Sequence, residues 1–302
     1  LVNNGTVGVF RDTVLASTVE ARNNATFNVA GTYQGDIRNT ATGTTNVTAQ
    51  GTVDGSLINN GTLSSRGTIT GNVENSAIGK ADLRGRIGGL LTNRGEAVTT
   101  GDLRVGGLTN RADMTVGANS VLYSETLIDN TARLNVLGEI VHLAPGTMSA
   151  TATAAADPAP LTVLNREEAS LDVSGRLGAN LRNLGQAVVR QTGRIGGLVW
   201  NEDGGLLQSL GVIEGDLFNF AGGEAQLAGA VEGDVVNEGR VLTTGELALG
   251  GLVTNEGAVT NVQAGSDVTL AEGETALNLG HTVVQGTLTG DLGNAASGVL
   301  RM

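Results

Sequence analysis

The chain has no cysteine, three prolines and only seven aromatic residues among 302. Without cysteine there is neither a disulfide framework nor a thiolate-bound metal, and an absence of thiols is compatible with export. Seven aromatics (Trp200, Tyr33, Tyr123, Phe10, Phe27, Phe218 and Phe220) are too few for an ordinary globular core. Lysine occurs once, at Lys80, and the arginines are scattered, against a formal net charge of −12. That balance disfavours nucleic acid and anionic lipid as partners. No apolar run approaches the length of a membrane-spanning helix. The opening Leu1-Val2-Asn3-Asn4-Gly5 has neither an initiator methionine nor a signal-peptide pattern, so the chain is expected to be a piece of a longer one.

What the sequence has is glycine, 47 residues, and aliphatic side chains, without the G-X-Y period of collagen. Such a chain is hydrophobic enough to fold but must do so by burying thin, even layers of Val, Leu, Ile and Ala. Asparagine shows the period. Asn165, Asn183, Asn201, Asn219, Asn237 and Asn255 follow at intervals of 18, and upstream Asn39, Asn59, Asn75, Asn93, Asn110 and Asn130 recur at 20, 16, 18, 17 and 20. Asn3 to Asn39 spans two periods, with Ala21 midway in the landmark position.

Counting back from each Asn, positions −8 and −4 are mostly Gly and −6 and −2 aliphatic, as in Gly211-Val212-Ile213-Glu214-Gly215-Asp216-Leu217-Phe218-Asn219. Aliphatics at every second residue mean strands, and this density of glycine argues against helix. The predicted fold is all-β: a single-stranded parallel β-helix, or β-solenoid, right-handed by preference, of about 18 residues per coil with Asn and Gly at the corners. Strands spaced by about 4.8 Å would make residues 1–302 one continuous rod of roughly 80 Å. Two reasons suggest themselves for the Asn: stacked amides can bond coil to coil, and Asn tolerates left-handed corners. A repeated surface turn is the plainer alternative.

A longer repeat is superimposed. Thr99-Thr100-Gly101-Asp102-Leu103 returns as Thr243-Thr244-Gly245-Glu246-Leu247, an offset of 144, or eight coils. All three prolines, Pro145, Pro158 and Pro160, fall in the alanine-rich stretch 144–161, which is expected to be a loop interrupting the coils or a joint between two halves.

Position −1 faces outward and carries Arg182, Trp200, Phe218, Val236 and Thr254, so Trp200, Phe218 and Val236 should form an apolar stripe able to meet a protein or a glycan. Positions −5 and −3 place Glu214 and Asp216 beneath Glu232 and Asp234, a cluster that could hold Ca²⁺, with no basic group at nearby outward positions. Gly-Asp recurs at this corner at Gly35-Asp36 and Gly290-Asp291, which favours a turn preference instead. His142 and His281 lie far apart, and no phosphate loop is present, so no catalytic residue is assigned and the chain is not expected to be an enzyme.

The units Gly67-Thr68-Ile69-Thr70-Gly71-Asn72-Val73 and Asn59-Asn60-Gly61-Thr62-Leu63 resemble bacterial autotransporter passengers and filamentous-haemagglutinin-like proteins. That resemblance implies an exported, right-handed solenoid at the outer surface, serving adhesion, biofilm formation or presentation of another domain. Residues 229–235 and 286–292 also resemble bactofilin coils, which implies subunits that stack end to end. A phage tail fibre and a polysaccharide-acting solenoid enzyme are further readings.

Overall fold

The computed structural model describes residues 1–143 and 162–302, and the stretch 144–161 lies outside them. The chain separates into two compact units, Leu1–Leu161 and Thr162–Met302. Among the described residues there is no helix, and the strand pairings within each unit are parallel, each strand bonding to its counterpart one coil earlier and one coil later. Each unit is thus a β-solenoid of about 18 residues per turn.

One coil of the C-terminal unit shows the construction. Val212–Ile213, Leu217–Asn219 and the start of the strand Glu224–Asn237 form its three sides. Ile213, Leu217, Asn219, Ala225 and Leu227 point inward and are fully buried, while the residues between them face out. In-register pairing then stacks like on like: Val199, Leu217 and Val235 lie along one inner edge and Ile195, Ile213 and Val231 along another. A core one side chain thick forms, which explains why so few aromatics are needed. Phe27 and Tyr33 are the exception, meeting edge to face inside the N-terminal unit with ring centroids 5.1 Å apart.

Glycine enters because successive coils approach too closely for a side chain. A Cβ on Gly61 would sit 2.3 Å from the carbonyl oxygens of both Gly43 and Thr40 in the coil before.

The asparagines are inside. In the N-terminal unit Asn3, Asn23, Asn39, Asn59, Asn75, Asn93, Asn110 and Asn130 form an unbroken chain, the Nδ2 of each donating to the Oδ1 of the next at 2.7–2.9 Å. In the C-terminal unit Asn165, Asn183, Asn201, Asn219 and Asn237 do the same at 2.7–2.9 Å. The second Nδ2 proton goes to a backbone carbonyl one coil on, such as Thr62 O from Asn39 and Arg240 O from Asn219. That carbonyl can only accept, which fixes the orientation of each amide and aligns all of them in one direction.

Three expectations are corrected. The landmark in the second coil is Asn23, not Ala21, which is buried two residues earlier. The ladder asparagines do not use left-handed backbone, since positive φ among the described non-glycine residues occurs only at Asp12 and Glu168. Asn255 is not in the ladder: the partner of Asn237 is Thr254.

The cause of the last correction is a register shift. Val231 pairs with Leu249, 18 residues on, but Asp234 pairs with Gly251, 17 on. The lost residue turns Thr254 inward and Asn255 outward, where its Nδ2 lies 3.4 Å from Glu238 Oε1. Asn237 donates instead to Thr260 Oγ1 at 3.1 Å, and the Thr254 and Thr260 hydroxyls bond at 2.7 Å. The amide chain resumes from Asn278 to Asn294.

The 144-residue repeat is structural. Strands Lys80–Asn93 and Glu96–Asn110 have counterparts in Glu224–Asn237 and Arg240–Thr254, displaced by that offset at both ends. Their register shifts, at Leu83/Gly85 and Ile87/Leu90, return at Leu227/Gly229 and Val231/Asp234.

Candidate functional site: the outer face of the asparagine strands

The inward amides orient the strands that carry them. Because Asn219 and Leu217 point in, Phe218 between them must point out, and the same alternation holds for every coil. Register then builds an outer column: Trp200 pairs with Phe218, Phe218 with Val236, Val236 with Val253 and Val253 with Leu277. Trp200, Phe218, Val236 and Val253 are half-buried against one another, and Leu277 is exposed. The predicted stripe is therefore present and longer than expected. Thr254, expected at the next outward position from the 18-residue period, is inside, and Val253 takes that position.

The same column in the N-terminal unit reads Val2, Arg22, Arg38, Ile58, Glu74, Thr92, Thr109 and Asp129. Nothing in the fold demands an apolar outer column, so the one in the C-terminal unit is a property of its sequence.

Carboxylates line both borders. On the side that enters the strands lie Asp216, Glu232, Asp234 and Glu274, and on the side that leaves them Asp203, Glu238 and Glu256. Glu214 and Asp216 do lie one coil from Glu232 and Asp234, as expected, but their interactions differ from the expectation. Glu214 is reached by two arginines, Arg176 at 3.2 Å and Arg194 at 3.7 Å, themselves neighbours in register. Its carboxylate offsets a like-charge stack that would otherwise repel. Asp216 Oδ1 accepts the backbone N–H of Asp234 at 2.9 Å, so it caps the corner of the next coil. Asp36 and Asn72 do the same for Ser56 and Leu90, so the recurrent polar residue here is a turn device. Among the described residues, no group of three or more His, Asp or Glu side chains converges as metal ligands would.

At the start of the stripe the Arg182 guanidinium forms a two-pronged pair with Glu202, and the hydrogen bond holds its pKa above the usual arginine range. An exposed pair of this kind contributes at most about 1 kcal/mol. In the outer column Arg182 stands between Leu164 and Trp200, so the unbroken apolar run begins at Trp200. Phe220, at the corner that follows Asn219, is exposed beside the stripe.

Sequence reasoning missed Val253, Leu277 and the arginine partners of Glu214. The first is legible in the repeat: Asn110 plus the 144-residue offset lands on Thr254, not on Asn255.

No protein-family model matches the chain, and no curated protein does. Among solved structures, the chain is similar to a TibC-catalysed hyper-glycosylated fragment of TibA, at 15% identity and a TM-score of 0.35, over 100% of this chain and 99% of that one. Likeness at this level does not transfer function or ligand. The chain is a parallel β-solenoid, and no helix among its described residues is long and apolar enough to cross a membrane.

Proposed function

We propose that the chain is a structural or adhesive rod from a surface-exposed or secreted bacterial fibre, and that it is not an enzyme. One observation carries the reading. In each unit strand pairing ties coil to coil along the sides, and a chain of buried amides runs inside, from Asn3 to Asn130 in one unit and from Asn165 to Asn237 in the other, where it passes on to the Thr260 hydroxyl. Such a construction specifies length and stiffness, and adding or removing coils alters length without altering the scheme. The repeated block of 144 residues is what growth by duplication would leave behind. The outer face of the asparagine strands is then the surface on which a partner protein or glycan is met.

Immunogold microscopy on intact cells of the producing bacterium, with antibodies raised against this chain, tests the proposal. Gold on the outer surface or on shed fibres supports it. Gold seen only after permeabilisation, along intracellular filaments, would replace it with a cytoskeletal role.

A further inference from the structure

Charge is not spread evenly along this chain. Residues 202–291 hold 14 of its 30 carboxylates and one of its 18 basic residues, Arg240, so the remainder, with 17 basic and 16 acidic residues, is almost neutral. The whole net charge of −12 therefore originates in the coils that carry the apolar stripe. Asp203, Glu232, Asp234, Glu238, Glu256 and Glu274 border that stripe without an ion-pair partner among the described residues.

We propose that this face of the C-terminal unit is a docking surface for a cationic amphipathic polypeptide segment, one with a narrow apolar stripe flanked by Lys or Arg. The stripe is one side chain wide and spans five coils, roughly 19 Å at the strand spacing, the length of about 13 residues of helix. An amphipathic helix laid along it would set its apolar side chains on Trp200, Phe218, Val236, Val253 and Leu277 and its cations on the two acidic borders. The alanine-rich stretch 144–161 does not complement this face, because it carries Asp157 and no basic residue. The inference is independent of whether the chain belongs to a surface fibre.

The only tryptophan of the chain lies in the stripe, so its emission reports occupancy. The experiment titrates the whole chain with a designed 14-residue peptide of Leu and Lys in helical amphipathic order. Controls are the same peptide with Glu for Lys, oligolysine, a neutral oligosaccharide, and dilution of the chain alone. The proposal expects a blue shift of Trp200 with the Leu/Lys peptide only, weakened roughly tenfold or more between about 50 and about 500 mM salt. It also expects roughly tenfold weaker binding by Val236→Asp, and by Asp234→Asn combined with Glu238→Gln and Glu274→Gln, in variants whose circular dichroism matches the parent. Any of five results overturns it: no shift with the Leu/Lys peptide, an equal shift with the Leu/Glu peptide, an equal shift with oligolysine, a shift with the sugar alone, or a shift that follows the concentration of the chain itself, which would make the stripe an interface between copies.

Discussion

An amide buried in an aliphatic stack loses several kcal/mol of hydration unless its donors and acceptor are all met. Asn219 meets them: it accepts from Asn201, donates to Asn237, and donates again to Arg240 O. Asn219→Ala should therefore cost about 3 kcal/mol or more, since it also strands the neighbouring amides, whereas Asn255→Ala should cost less than about 0.5 kcal/mol. Urea denaturation of both variants checks this, and similar losses would mean that Asn255 is in the ladder after all. Tyr33 supplies a pH dependence. Burial raises its pKa above the usual value, and the nearby Asp36 carboxylate adds to the rise. The folded state thus holds the phenolic proton more tightly than the unfolded chain, and the stability this gives is complete below about pH 10 and lost as pH rises through the raised value. Melting temperature of the parent should fall above about pH 10 more steeply than that of Tyr33→Phe, which retains the ring packed on Phe27.

At the scale of strands and corners, the close approach of coils makes some glycines irreplaceable and others not. Gly61→Ala would drive a methyl to 2.3 Å from two backbone carbonyls, which cannot swing aside, while Gly5→Ala meets no atom within 4 Å. The first should destabilise by about 2 kcal/mol or more and the second by a few tenths, read from thermal unfolding. The acidic corner yields another expectation. With Glu214 held by Arg176 and Arg194 and Asp216 by the Asp234 N–H, excess chelator should leave the melting temperature unchanged, and a fall of several degrees would point to a bound cation.

Most of the element order was legible in the sequence because period-2 alternation and the recurrent Asn report the same geometry, an inward residue at every second position. The alternation assigned Leu217 and Asn219 inward and Phe218 outward without any structure. The 18-residue period alone hides the register shift, because a chance Asn, Asn255, restores the apparent spacing, and only the 144-residue offset, which carries Asn110 onto Thr254, shows the missing residue. The ion pairs of Glu214 were hidden for another reason: Arg176 lies 38 residues away and reaches it only across two stacked coils.

For the whole molecule, each of the two units repeats one scheme, a thin aliphatic core with a directional chain of buried polar side chains along it. They differ in what they show to solvent, mixed polar residues on the Asn strands of the N-terminal unit and an acid-bordered apolar column on those of the C-terminal one. Both rest on parallel, in-register stacking of coils, and the absence of native cysteine makes that directly measurable. Gln208 and Gln226 are register partners on successive coils with their side-chain amides 3.0 Å apart, whereas Val188 and Gln226 are two coils apart, about 9.6 Å by strand spacing. The double variant Gln208→Cys, Gln226→Cys should close an intramolecular disulfide quantitatively under mild oxidation, and Val188→Cys, Gln226→Cys should not. A bond in the second pair and none in the first would contradict the parallel, in-register stacking of the coils.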